Sequence, residues 1–298
     1  MKAVRNLSIT GLLALILASV SWSVIANTPP YSIALSLWTG YPNNLQGFKD
    51  GLKESGLEPN KDVIFIQGPL TSDRAQQKAF AESLVTQNPD LVYSLTTSGT
   101  VIVKESIPDT TPIVFSIVTY PADSGLIDSF EYSGNNLVGT SNYIPLQHYL
   151  SLIDDLVPET KRAAIFHRKG EPNSKIQAAN LTRLLKRKNI DVIDVQASDL
   201  EELRQKAELL TGDIDLFITT TDTLLQNGGE EVLIDISTQY KIPILSSNKS
   251  GIQNGATFGP VSDFYELGRQ AAFLAAEILT QKTKLLTSRH RCRPNRYF

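Results

Sequence analysis

Short strands alternating with amphipathic helices, in a unit that occurs twice, predict a two-lobed α/β protein with parallel sheets. Strand-like runs recur between helical segments from 31 to 140 and again from 146 to 260. That rhythm implies parallel strands covered by helices on both faces. No low-complexity linker divides the halves, and the short link at 136–141 implies close lobes joined by hinge strands. The loops after the strands are rich in hydroxyls, amides and aromatics, and open parallel sheets bind ligands at that edge.

Taken in order, 31–38 reads as a strand. An amphipathic helix over 43–55 follows, with Leu45, Phe48 and Leu52 on one face. Strands over 63–67, 91–95 and 112–118 alternate with helices over 73–87 and 98–106. The second unit opens on a helix over 146–156. Its strands at 163–167, 192–196, 216–219 and 243–246 alternate with helices at 174–188, 200–210 and, for the most part, 222–240. A short strand at 256–258 precedes a long helix over 263–280, with Leu267, Ala271, Leu274 and Ile278 along one stripe. The repeat is one of architecture, without repeated residues.

The stretch 163–185 organises the second unit as strand, loop and helix. Pro172 cannot continue a strand ladder. Asn173 or Ser174 suits the helix N-cap, because a short oxygen side chain satisfies free amides of the first turn. A helix start facing a cleft suits a carboxylate or phosphate. Taken alone, the stretch reads first as an ordinary connection.

Composition narrows the class. The chain has 298 residues, 41% hydrophobic and 20% charged, which suits a soluble globular protein of one large or two medium domains. Lys2 and Arg5 precede an apolar run over 9–20, and small or modest residues end at Ala26, so residues 1–26 read as a secretory signal peptide. The run is short for a membrane span, which needs about 20 apolar residues. The expected location is the periplasm. Cys292 is the only cysteine, so no internal disulfide is expected and stability must come from core burial. Removing Lys2 and Arg5 with the leader takes the net charge from −3 to about −5, which argues against nucleic acid and anionic membranes as partners.

No catalytic set emerges. His148, His167 and His290 lack metal-ligand spacing, and there is no nucleophile elbow, P-loop or dinucleotide fingerprint. No catalytic residue, metal or cofactor is expected. An enzyme using His167 or Asp222 is the minor alternative. The strand-end loops instead offer groups that hydrogen-bond and stack on a small solute. Trp38, Tyr41, Tyr120 and Tyr143 are candidate stacking residues, or else core or surface aromatics. Thr97, Ser98, Asn173, Ser174, Asp222 and Asn248 are candidate polar contacts, each singly also a plausible cap. His167 at a strand end is a candidate ligand contact or surface residue.

At these loops the chain resembles the ABC transporter substrate-binding proteins of the tryptophan/tyrosine-binding type, which have a type I periplasmic-binding-protein fold. The matching segments are GFKDGLKESG (47–56), NPDLVYSLTT (88–97), TPIVFSIVTYPADSGLI (111–127), NLVGTSNYIP (136–145), KGEPNS (169–174), TTTDT (219–223) and FYELGRQAAFLAAEIL (264–279). The resemblance covers about residues 30–281. It implies two Rossmann-like lobes joined by a hinge, at 27–140 and 141–262, with the helix at 263–280 packing back on the first. It implies a monomeric receptor that delivers a small-molecule ligand to an ABC permease in the inner membrane. A membrane sensor kinase or cyclase is the alternative partner. Thr97 and Ser98 match the family's ligand loop. Gly170, Glu171, Asn173 and Ser174 fall in its G-E-A-N-S loop, which implies a hold on a ligand carboxylate, and Asp222 matches a family Asp. Many relatives show T-D-P at Thr119-Tyr120-Pro121 and A-S-D at Ser246-Ser247-Asn248, so an aromatic or less cationic solute is implied here. The basic segment 282–298 departs from relatives, which continue with strand and helix. It is expected to be disordered, and loss of a closing segment would weaken the lobe it joins.

Overall fold

The computed structural model describes residues 30–281. The expected leader and the basic tail lie outside the described residues.

Lobe one is a five-stranded parallel sheet built from β1 (Tyr31–Ser36), β2 (Val63–Gln67), β3 (Leu91–Leu95), β4 (Ile113–Ser116) and β5 (Leu137–Gly139), in the order β2-β1-β3-β4-β5. Helices α1 (Pro42–Glu54), α2 (Arg74–Gln87) and α3 (Thr97–Ser106) connect the first four strands. Strands β3, β4 and β5 are buried along their whole length, as a sheet covered on both faces requires.

Lobe two repeats the plan with four strands. They are β6 (Arg162–Arg168), β7 (Asp191–Ala197), β8 (Leu216–Thr219) and β9 (Ile244–Leu245), in the order β7-β6-β8-β9. Phe258 forms a single parallel bridge to Leu245, where β5 stands in lobe one. Its helices are α4 (Leu146–Leu156), α5 (Pro172–Arg187), α6 (Leu200–Glu208) and α7 (Glu230–Tyr240). Side chains alternate across the sheet: Ala163 and Ile165 join one apolar cluster, Ala164 and Phe166 the other.

Several sequence expectations shift in detail. The segment before α7 is a π-helical turn, Leu225–Gly229, kinked at Asn227 and Gly228 rather than continuous helix. The expected strand at 256–258 is reduced to the Phe258 bridge. A short helix, α8 (Lys249–Gln253), follows β9. Helix α5 begins at Pro172, two residues earlier than an Asn173 cap allows, and Glu171 occupies the N-cap. Proline suits the first helical position because its missing N–H has no partner to lose there.

Two segments among the described residues cross between lobes, 140–145 outward and 259–263 back into α9 (Phe264–Thr280). Ser262 Oγ donates to Asn142 O at 3.1 Å, tying the two crossings together. Helix α9 packs on α1, β4 and β5, and Ala271, Ala272 and Ala275 are fully buried in the core of lobe one. The approach to α1 is so close that glycine is required. A methyl on Gly47 would fall on the Tyr265 carbonyl, and one on Gly268 on the Asn44 carbonyl. Beneath this crossing Phe48 stacks on Tyr93, with centroids 3.7 Å apart. Asn44 Nδ2 donates to Ser116 Oγ at 2.9 Å and to Phe264 O at 2.8 Å, while the Tyr93 hydroxyl donates to Asn44 Oδ1. Thr140 Oγ1 meets Ser116 Oγ at 2.8 Å. One buried polar network thus joins α1, β3, β4, α9 and the first crossing.

Candidate functional site

Strand order locates the site before any side chain is considered. In lobe one the chain moves from β1 outward to β2, then returns to place β3 on the other side of β1. In lobe two β6, β7 and β8 do the same. Such a reversal opens a crevice at the carboxyl ends of the strands that flank it. The flanking ends are 37–41 with 96–98 in lobe one, and 168–174 with 220–223 in lobe two. Helices α3 and α5 approach each other across the gap. Each follows a parallel strand, so the first turns are the parts that meet.

The start of α3 is held under strain. Thr96 adopts φ +66°, and Ile117, at the end of the neighbouring β4, adopts φ +56°. β-Branched residues seldom enter this region, and each costs on the order of 1–3 kcal/mol. Thr96 Oγ1 accepts from Gly99 N at 3.2 Å, and Thr96 N donates to Ser116 O at 3.1 Å, so the surroundings over-determine the turn. Trp38 packs over Gly99, whose Cβ position lies 3.2 Å from the indole Cε3. Trp38, Thr97 and Ser98 are all buried. Trp38 Nε1 and Thr97 Oγ1 have no hydrogen-bond partner among the described residues.

The start of α5 mirrors this. Asn173 Nδ2 donates to Thr221 O, which fixes the amide, while Asn173 Oδ1 is buried without a donor. Ser174 Oγ donates to Glu171 O at 3.2 Å. Gly170 turns the loop with φ +79° and is exposed. At the back of the cleft, Tyr120 and Tyr143 meet edge to face at 5.5 Å, with Phe130 beyond Tyr143 at 6.2 Å. Asn142, on the first crossing, is buried with Oδ1 unpartnered among the described residues.

The remaining candidates in lobe two are committed to the protein itself. Asp222 Oδ1 accepts from Leu224 N and Leu225 N, both at 2.9 Å. Its Oδ2 accepts from Arg168 N at 2.8 Å and Thr220 Oγ1 at 2.9 Å. Glu171 accepts from Thr223 N and Oγ1. Burial raises both carboxyls above their ordinary range, and each is held up further or eased by its surroundings: Asp222 adds to the rise of Glu171, while backbone donors lower Asp222. His167 Nε2 pairs with Asp194 at 2.7 Å. Asn248 donates from Nδ2 to Thr220 O at 3.3 Å and accepts from Gln226 at Oδ1.

Lobe one meets this cluster through residues 39–41. Burial first, and the Glu171 and Asp222 carboxyls next, hold the Tyr41 hydroxyl well above its usual range. Asn227, pushed out by the π-helical turn, donates to Thr223 O at 2.7 Å and to Thr39 O at 3.5 Å. Arg168, beside Glu171 and Asp222, and Asn142 escaped the sequence reading. Arg168 stands directly before the 169–174 segment and Asn142 inside the 136–145 segment, so position was the available signal.

Two lobes with opposed strand-end loops and buried, unpartnered polar groups between them define a solute-receptor architecture. The chain belongs to the family described as ABC transporter substrate binding protein, whose model matches residues 39–285. A tyrosine-binding protein of Clostridioides difficile (strain R20291) is 29% identical over 238 residues, covering 80% of this chain and 68% of that one. The fold is shared with a Streptococcus pneumonia protein solved in complex with L-Trp, at TM-score 0.81, 20% identity and 90% of each chain. It is shared too with a conserved domain protein of Vibrio cholerae, at TM-score 0.82, 24% identity and 90% of each chain. The architecture is thus that of a type I periplasmic binding protein, and the family is one of solute-binding proteins rather than enzymes. Substrate-binding proteins of this fold work in the periplasm or otherwise outside the cytoplasm.

Proposed function

We propose that this receptor captures a small aromatic, amino-acid-like carboxylate between its lobes and hands it to the permease of an ABC importer. The observation that carries this reading is the pairing of two helix starts across the cleft, each bearing a buried polar atom without a protein partner: Thr97 Oγ1 on α3 and Asn173 Oδ1 on α5. Free N–H groups and the positive ends of the two helix dipoles favour a carboxylate. Trp38, Tyr120 and Tyr143 supply ring surfaces nearby, and aromatic faces prefer an aromatic solute. The tyrosine-binding relative and the L-Trp complex support the same class of solute. A ligand bridging both lobes draws the population to the closed form, which the permease can then recognise. Isothermal titration of the mature protein against aromatic amino acids and their analogues tests this. Saturable binding to one site per chain is expected, and silence across the panel, by heat and by thermal shift, counts against it.

Thr97→Val separates binding from stability. Valine keeps the shape and removes a buried hydroxyl that costs about 1–3 kcal/mol while unpartnered. The unliganded variant should therefore melt no lower than the parent, while solute affinity falls about tenfold. Calorimetry of both properties checks the opposed signs.

A further inference from the structure

We infer that the cleft selects an aromatic carboxylate lacking an ammonium group, such as an α-hydroxy acid, over the corresponding amino acid. This rests on the reading above and sharpens it.

An amino-acid ammonium sequestered from water needs an opposite charge to offset its lost hydration. Among the described residues three carboxylates are buried: Glu171, Asp222 and Glu230. Each is engaged within lobe two. Asp222 accepts four hydrogen bonds from its own lobe, and Glu171 is held by Thr223. Glu230 Oε1 accepts from Thr219 Oγ1 at 2.8 Å and from Ser246, while Oε2, without a partner among the described residues, is sealed beneath Gly251, where no methyl would fit. The half-buried Arg168 guanidinium donates to Thr223 Oγ1 and acts on the Glu171 carboxylate as a nearby positive charge.

The groups left for a ligand have a different character. Trp38 Nε1 is a pure donor. Two helix starts add free amides and positive potential. On the two helix starts and the first crossing, three unpartnered acceptors are neutral: Thr97 Oγ1, Asn142 Oδ1 and Asn173 Oδ1. All four side chains are at most 5% exposed. An ammonium placed here meets positive helix ends and no compensating carboxylate. An α-hydroxyl needs one acceptor, which an asparagine amide oxygen provides without charge. The carboxylate and the ring are recognised equally well in both solutes, so the α-substituent decides.

Titration at pH 7 with matched pairs tests this: L-tryptophan against indole-3-lactic acid, and L-tyrosine against 3-(4-hydroxyphenyl)lactic acid. The hydroxy acid of at least one pair is expected to bind about tenfold tighter or more. Equal or tighter binding of both amino acids overturns the inference and leaves the receptor reading standing. No binding by any of the four overturns the aromatic-carboxylate reading as well. In Asn142→Asp, a carboxylate placed on the first crossing should shift the ratio toward the amino acid by about tenfold. If that variant folds and the ratio does not move, Asn142 does not read the α-substituent.

Discussion

Gly268→Ala is expected to destabilise the protein by about 3 kcal/mol, or roughly 6–12 °C in melting temperature for a chain of this size. The sign runs against intrinsic preference, since alanine in a helix interior is ordinarily favoured over glycine by up to about 1 kcal/mol. Packing reverses it. The new methyl would fall on the Asn44 carbonyl, and the first atoms it meets are backbone, so relief requires α9 to lift off α1. Lifting α9 also strains the bonds from Asn44 Nδ2 to Phe264 O and from Thr140 Oγ1 to Leu267 O. Those bonds connect the helix pair to the first lobe crossing, so the damage should reach the hinge. Gly47→Ala faces the Tyr265 carbonyl and should behave alike. Gly212→Ala is the control: nothing lies within 4 Å of its Cβ position, and a change below about 0.5 kcal/mol is expected. Equal melting temperatures for all three variants would show that the helices part without cost.

Stability should fall as pH rises from mildly acidic to neutral, and Glu230→Gln should flatten the profile. Burial pushes the Glu230 carboxyl up from 4.5 to about 7, against the pull of donors from Ser246 and Thr219. The folded protein therefore holds a proton that the unfolded chain has released between those values. Stability declines with pH wherever the native state binds more protons. At about 1.4 kcal/mol per unit, the loss over this window is about 3 kcal/mol, complete above the folded value. Glutamine keeps the acceptor for Thr219 and Ser246 and removes the charge. The variant should match the parent near pH 4.5 and exceed it by about 2–3 kcal/mol at pH 8. Burial raises Glu171 in the same direction, so a residual slope persists in the variant. Chemical denaturation across the pH series reads both effects, and parallel curves for parent and variant would place the Glu230 titration elsewhere.

The alternation of strands and helices was legible because hydrophobic period and length differ between them. The β6 run over 163–167 and the α9 stripe of Leu267, Ala271 and Leu274 are unambiguous by either measure. Details failed where tertiary contacts override local preference. The π-helical turn is invisible in its sequence, because the kink at Asn227 lets its amide reach Thr39, remote in the chain, as well as Thr223 in the preceding turn. The sequence places the start of α5 two residues late because serine and asparagine caps outrank proline at the first helical position. At the candidate site, the residue types at strand ends mark loops that flank the crevice between the lobes. They could not show that Asp222 and Asn248 spend their hydrogen bonds inside lobe two while Thr97, Asn142 and Asn173 keep an oxygen free. That distinction depends on side-chain direction, which spacing alone does not encode.

A crystal structure with the tightest-binding of the four aromatic acids tests the account most directly. The carboxylate should accept hydrogen bonds from amides in the first turn of α3 or α5, with the ring against Trp38 or the Tyr120–Tyr143 pair. An aromatic acid seated outside the interlobe cleft, or one whose carboxylate points to solvent with both helix starts untouched, would contradict it.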